Sequence, residues 1–215
     1  GGDPDEHNGL PEASGTSSDD WLVEDFRQIP AEDKVLFAKE LERLTLAADE
    51  RIEQVQRAAY GDSVYEVLLV NSRGLERHFR NGNCSCSVSA KASSPGVDSE
   101  MGWEFDFGRR FADLRPQWVA ERCAEDATRL LGATPCSTGA VPVVLDNAIA
   151  VDFLEVIGPA LMGSSVIKNK SLFAKLRGEA VASDKVTLVD QNDLRDGISP
   201  APFDGEGTPA QRTTV

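Results

Sequence analysis

The sequence is poor in histidine, in cysteine and in positive charge. Its 215 residues include two histidines, His7 and His78, and four cysteines. A zinc site needs three or four lone-pair donors that converge at about 2 Å, and neither histidine has the spacing of a zinc-binding helix. The cysteines lack the spacing of a disulfide framework, which favours a reducing, cytoplasmic compartment.

Charge and hydropathy argue against two further classes of protein. The 36 acidic residues outnumber the 22 basic residues, for a formal net charge of −14. Because clustered Lys and Arg drive binding to a phosphate backbone, we expect no nucleic-acid partner. No apolar run approaches the roughly 20 residues of a membrane helix, and the polar N-terminal residues do not resemble a signal peptide. We therefore expect no membrane partner either.

The first half of the chain shows a helical period followed by a strand period. Residues 1–20 are rich in Gly, Ser, Pro and Asp, and we assign residues 1–29 to a linker or extension. From Pro30 to about Tyr60, apolar residues recur at steps of three and four, which predicts one long amphipathic helix. Alternation with a period of two begins at Ser63.

Two turns and two further strands complete the predicted sheet. The turns are placed at residues 71–74 and at Asn81-Gly82. One strand alternates through Cys84, Cys86 and Val88, and the next runs from Met101 to Phe107, which gives an antiparallel meander with one face covered by helices. A helix from Pro116 to Gly132 follows in the usual proline-start, glycine-stop order. Residues 30–134 are thus predicted to form an α+β domain.

The last third of the chain carries a third helix between two strands. We predict a strand at Val141–Leu145, a helix at residues 147–158 with Asn147 as its N-cap, and a strand at residues 185–190. Pro159 lacks the N–H that the carbonyl of Glu155 needs, so the helix is expected to bend or end there.

Few side chains suggest chemistry by themselves. Cys84 and Cys86 share one strand face, and their alternation with apolar residues indicates core packing rather than half of a metal or redox site. A cysteine nucleophile needs a base, and His78 is the one serious candidate. Asp204 and Glu206, in the sequence Asp-Gly-Glu-Gly, could act as an acid–base pair or bind a cation. The glycines favour a tight turn instead.

Three segments together resemble a known family. They are Val141–Asp146 (VPVVLD), Lys170–Phe173 (KSLF) and Ser199–Pro209 (SPAPFDGEGTP). These segments are similar to sequences of the TldD/PmbA family, also called the modulator of DNA gyrase family. The resemblance covers roughly residues 3–212, and family members extend beyond both ends, so the chain is expected to be the middle section of a longer protein.

The resemblance gives meaning to residues 154–159. The peptidase-bearing branch of the family has His-Glu-x-x-Gly-His at this point, and its two histidines bind zinc. Here Leu154 and Pro159 stand at the histidine positions, while Glu155 and Gly158 remain. The pattern is similar to that of the PmbA/TldE branch, whose members accompany the zinc subunit and hold no metal themselves.

The resemblance implies a fold and a function. It implies that residues 135–215 begin a C-terminal, barrel-like domain, which is cut short here. It also implies a non-catalytic subunit of a TldD/TldE-like zinc metalloprotease that acts on unfolded and short peptides. The chain itself would hold no cofactor, zinc would lie in a TldD-type partner, and Asp204 and Glu206 would border the substrate channel.

Two alternatives remain open. The first is an independent peptidase that uses another site, such as Glu155 or the pair of Asp204 and Glu206. The second is a structural or adaptor protein, a homodimer without a protease partner.

Overall fold

The chain divides into two compact units. The computed structural model of the protein describes residues 9–12 and 16–215. The first unit comprises Gly1–Thr134 and Asp190–Thr213, and the second comprises Pro135–Val189 and Thr214–Val215. The main hydrophobic core lies in the first unit.

The elements confirm an α+β fold. The first unit contains, in chain order, β1 Thr16–Asp20, α1 Ala31–Ala48, β2 Ile52–Val70, β3 Glu76–Ala92, β4 Glu100–Gly108 and α2 Pro116–Arg129. The second unit contains the helices α3 Asn147–Leu161 and α4 Gly163–Ile167. Two three-residue strands, β5 Val189–Gln191 and β6 Arg212–Thr214, form a separate two-stranded sheet. The described residues contain no closed barrel.

Strand β3 lies at the centre of the main sheet. Strand β2 pairs with β3 in antiparallel fashion along its whole length. The other edge of β3 is shared, because β1 pairs in parallel with Glu76–Arg80 and β4 pairs antiparallel with Cys84–Ala92. The predicted meander of three antiparallel strands is confirmed, and β1 adds a parallel strand within the predicted 1–29 extension. Within that extension, residues 1–8 and 13–15 lie outside the described residues.

The buried face of β3 changes halfway along the strand. From Gly82 to Ala92 the even-numbered side chains are buried, and those from Cys84 onwards form a core with α1 and α2. From Arg77 to Asn81 the odd-numbered side chains are buried instead. Side chains alternate between faces in a strand, so the two halves of β3 belong to cores on opposite sides of the sheet.

The second core is closed by the segment of residues 198–209. The ring of Phe203 packs edge-on against Phe79, with centroids 5.2 Å apart. The side-chain amide of Asn81 donates to the carbonyl of Pro200 at 3.2 Å, and that of Asn83 donates to the carbonyl of Ile198 at 3.0 Å. Ring contacts of this kind add about 1 kcal/mol each beyond the buried area.

Arg109 links the chain segments that meet near Asn81 and Gly82, where the buried face of β3 changes. Its Nη1 donates to the carbonyl of Arg195 at 2.6 Å, and its Nη2 donates to Asn81 Oδ1 at 2.8 Å and to the carbonyl of Trp21. The guanidinium therefore ties the end of β4 to β3, to the residue after β1 and to the C-terminal part of the first unit. A cleft of about 530 Å³ lies beside it.

The predicted helix of residues 30–60 was wrong beyond residue 48. Helix α1 ends at Ala48, and Asp49 accepts hydrogen bonds from the backbone and the guanidinium of Arg51. Two irregularities in the β2–β3 pairing then place Ile52, Val55 and Ala58 on the core side at three-residue steps. The bulges therefore give the apolar residues of this strand the spacing that is typical of a helix.

The predicted turn at Asn81-Gly82 was also wrong, since both residues lie inside β3. A Cβ on Gly82 would come within 2.7 Å of Leu22 and 2.8 Å of the Ser63 carbonyl oxygen. The glycine thus serves a close approach between strands rather than a reversal of the chain. The turn predicted at residues 71–74 is confirmed, with Gly74 at a φ of 81°.

The helix predicted from Pro116 is confirmed as α2, although it ends at Arg129 rather than at Gly132. Several bounds in the second unit also differ from prediction. Residues 141–145 form no strand, and α3 is capped by Asp146 rather than Asn147, because the Asp146 carboxylate accepts from the Ala148 N–H at 2.8 Å. The helix does not end at Pro159 but continues to Leu161. The last predicted strand begins at Val189, four residues later than expected.

The close packing of α2 on β4 gives a test of the fold. An added Cβ at Gly102 would overlap the Cys123 carbonyl oxygen, whereas one at Gly61 would meet only Ser85 Oγ, at 3.7 Å. We expect Gly102→Ala to lower the free energy of unfolding in urea by about 3 kcal/mol. The matched control Gly61→Ala should change it by less than about 0.5 kcal/mol. Equal losses in the two variants would contradict this packing.

Candidate functional site

Residues 154–159 lie in the middle of α3. The side chains of Leu154 and Glu155 are exposed, and a Cβ added at Gly158 would meet no atom within 4 Å. Pro159 follows within the helix, and its carbonyl accepts from the N–H of Met162 at 3.3 Å. The Glu155 carboxylate makes no hydrogen bond or ion pair with the rest of the described chain. The four positions thus present one carboxylate on an otherwise apolar stretch of helix.

These residues do not fit a zinc ion. The side chains of Leu154 and Pro159 have no lone pair to offer, and Glu155 is one donor where three or four are required. Across residues 9–12 and 16–215, no group of three or more His, Cys, Asp or Glu side chains could hold a metal ion. No metal-assisted step can therefore be derived from this part of the chain.

Asp204 and Glu206 occupy a tight loop of the first unit. The Asp204 Oδ1 accepts hydrogen bonds from the N–H groups of Glu206 and Thr208, both at 2.9 Å. The loop closes where the N–H of Asp204 donates to the Thr208 carbonyl, and Gly207 has a φ of 88°. This geometry gives the Asp204 carboxylate a structural role, while the exposed Glu206 carboxylate makes no side-chain hydrogen bond among the described residues.

The loop yields a test that separates the two carboxylates. Asp204→Ala releases two backbone N–H groups, so we expect it to lower the free energy of unfolding by about 1–2 kcal/mol. Asp204→Asn keeps an acceptor oxygen, so its free energy of unfolding should fall by much less. Glu206→Ala should stay within about 0.5 kcal/mol of the unchanged protein in urea unfolding. A neutral Asp204→Ala variant would contradict the structural role.

The cysteine pair of β3 belongs to the core. Cys84 and Cys86 are buried on the face that α1 and α2 cover, and Cys123 of α2 is buried beside them. Burial raises the pKa of Cys84 to about 12 and that of Cys86 and Cys123 to about 11. Thiolates are the reactive form of cysteine, so these three side chains are not suited to nucleophilic or redox chemistry.

The thiols give a second test of the site. At about pH 8 the three buried thiols remain protonated and inaccessible. We expect Ellman's reagent to react within minutes with Cys136 alone, the one exposed cysteine, and with the other three only after unfolding in guanidinium. Cys136→Ser should abolish the fast reaction. Two or more fast thiols in the folded protein would show that the core assignment is wrong.

Sequence reasoning considered only cysteines as partners for His78. The structure places His78 instead between Ser18 of β1 and Glu66 of β2. These three residues come from three strands, and their proximity depends on the strand register. No local motif in the sequence marks them.

The comparisons with known proteins agree with the resemblance. A family model described as the PmbA/TldA metallopeptidase central domain matches residues 24–131, and one described as the C-terminal domain of the same metallopeptidases matches residues 138–215. The chain belongs to the PmbA/TldD metallopeptidase family.

Individual relatives point to the same family. The metalloprotease PmbA of Escherichia coli O157:H7 is 25% identical over 189 residues, which are 87% of this chain and 42% of the relative. A crystal structure from Thermotoga maritima, named as a modulator of a DNA gyrase, has a TM-score of 0.83 at 28% identity over 90% of this chain and 45% of that one. The TldE structure of Thermococcus kodakarensis, with a TM-score of 0.75 at 21% identity, covers 99% of this chain and 48% of its own and shows the fold alone. The chain thus spans less than half the length of these relatives.

One finding bears on membranes. Within the described ranges, no helix combines the length and the apolar character needed to cross a bilayer.

Proposed function

We propose that this chain is the non-catalytic, PmbA/TldE-type subunit of a zinc metalloprotease that processes unfolded and short peptides. The observation that carries the proposal is the loss of ligands on α3, where Leu154 and Pro159 stand in place of the two zinc-binding histidines of the resembled motif. Membership of a metallopeptidase family supports the reaction class, since the E. coli relative is named a metalloprotease.

The partner in this proposal is a TldD-type subunit that supplies the zinc and its ligands. Zinc bound in that subunit would supply the Lewis-acid chemistry of peptide hydrolysis. This chain helps to enclose the peptide channel, with Asp204 and Glu206 as candidate residues along it. The four free cysteines suit a reducing compartment and support action in the cytoplasm.

The surface of α3 supports an assembly. Five of its large apolar side chains are exposed, namely Ile149, Val151, Phe153, Leu154 and Val156. Exposed apolar surface of this extent typically marks contact with other protein. The same side chains favour the alternative of a homodimer without a protease partner.

The test is hydrolysis of unstructured peptides by this protein, alone and mixed with a zinc-bearing TldD-type relative. We expect cleavage in the mixture only, with loss of activity on addition of a chelator. Because Glu155 has no metal to act with, Glu155→Gln in this chain should leave the rate of the mixture within about twofold. The corresponding Glu→Gln change in the motif of the partner should abolish cleavage.

Two results would overturn the proposal. Chelator-resistant cleavage of peptides by this protein alone would favour an independent peptidase. Cleavage by the TldD-type relative that this protein neither stimulates nor redirects would favour the structural homodimer.

A further inference from the structure

A serine, a histidine and a glutamate form a hydrogen-bonded chain across three strands of the first unit. In the sheet order β1–β3–β2, Ser18 lies opposite His78. Ser18 Oγ is 2.9 Å from His78 Nδ1, and His78 Nε2 is 2.6 Å from Glu66 Oε1. We propose that these residues form a nucleophilic site for activated carboxylic esters, with Ser18 as the nucleophile, His78 as its base and Glu66 as the positioning residue.

The direction of the hydrogen bonds suits this assignment. An ionised Glu66 can only accept, so in the neutral imidazole the hydrogen lies on Nε2 and leaves Nδ1 to accept from the Ser18 hydroxyl. A serine that donates to a histidine held by a carboxylate is the arrangement that activates serine nucleophiles on unrelated folds.

A substrate can reach the serine. Ser18 is exposed, and its strand β1 lies at the end of the sheet order. A cleft of about 360 Å³, lined by Glu66 and by Arg27, Val64, Tyr65 and Arg80, adjoins the chain of hydrogen bonds and gives room for a substituent of the ester. Both arginines lie within salt-bridge distance of Asp25, at 2.6 and 3.6 Å, so the charge of the cleft is largely balanced.

The reaction proceeds in two balanced steps. Ser18 Oγ attacks the ester carbonyl carbon while its proton passes to His78 Nδ1, and the bond to the leaving alkoxide breaks as that oxygen takes the proton from Nδ1. Water then attacks the acyl-serine, gives a proton to Nδ1, and releases the carboxylic acid as Ser18 Oγ recovers its hydrogen. The products are one acid and one alcohol, with no change in oxidation state.

Exposure limits the substrate class. A water-accessible serine gains little of the low-dielectric stabilisation that closed active sites give to an oxyanion. Esters with good leaving groups depend less on that stabilisation, whereas peptide bonds depend on it strongly. This site is therefore separate from the proposed peptide hydrolysis and requires no zinc.

The test uses a fluorophosphonate probe and p-nitrophenyl acetate, each with and without a chelator. We expect the probe to modify Ser18, as located by mass spectrometry of peptides, and the ester to be hydrolysed. His78→Gln should slow both reactions about a hundredfold, and Glu66→Gln about tenfold, as expected for loss of a base and of its orienting charge. Ser18→Ala should abolish both.

Ser17→Ala is the matched control, because Ser17 is the neighbouring residue on the opposite face of β1 and should leave both rates unchanged. Circular dichroism and the Tm of each variant establish that it is folded. An unmodified Ser18 in the unchanged protein would overturn the proposal, as would equal rates in a folded His78→Gln variant, since a purely structural hydrogen bond predicts both results. Ester hydrolysis that the chelator abolishes would also overturn it, without bearing on the peptide assay.

Discussion

Continuous pairing of β3 with its neighbours makes one strand serve two cores. Side chains alternate between the two faces of a strand. The even positions of β3 are buried against α1 and α2, and its odd positions against the 198–209 segment. The packing elements must therefore change from one face of the sheet to the other along β3. The change falls at Asn81 and Gly82, which are both buried. Arg109 binds Asn81, Trp21 and Arg195 at this point and thereby fixes the segments around the change.

This arrangement separates structural polar groups from those available for chemistry. The Asp204 carboxylate holds its own loop, and three of the four thiols are buried with raised pKa values. The carboxylates of Glu155 and Glu206 stay exposed, and the part of the chain that the structure describes places no metal ligand set around them. The side chains of Leu154 and Pro159 on α3 offer no lone pair to zinc, and this is the basis of the proposed subunit role.

The sequence predicted elements where local signals and tertiary contacts agree. Helix α2 has proline at its start and glycine beyond its end, and β4 alternates without interruption, so both were found. Prediction failed where a long-range contact overrides a local signal. The bulges in β2 gave Ile52 and Val55 a helical spacing, and the Asn81-Gly82 pair, typical of hairpin turns, is held in a strand by Arg109 and Pro200.

In the candidate site, too, contiguous residues could be predicted from the sequence and long-range groupings could not. Residues 154–159, the proposed counterpart of the zinc motif, could be recognised in the sequence because they are contiguous, although Leu154 by itself indicates nothing. The grouping of Ser18, His78 and Glu66 could not be predicted, since it depends on the register of three strands. Register is decided by burial on each face of the sheet, and here the buried face changes within one strand.

In the proposed assembly, a partner subunit binds zinc and this chain does not. The decisive measurement is the zinc content of the purified protein by mass spectrometry, after incubation with excess zinc and removal of the unbound ion by gel filtration. We expect far less than one zinc ion per chain, with no change in Glu155→Gln. One tightly held zinc per chain, lost in Glu155→Gln, would contradict the proposal.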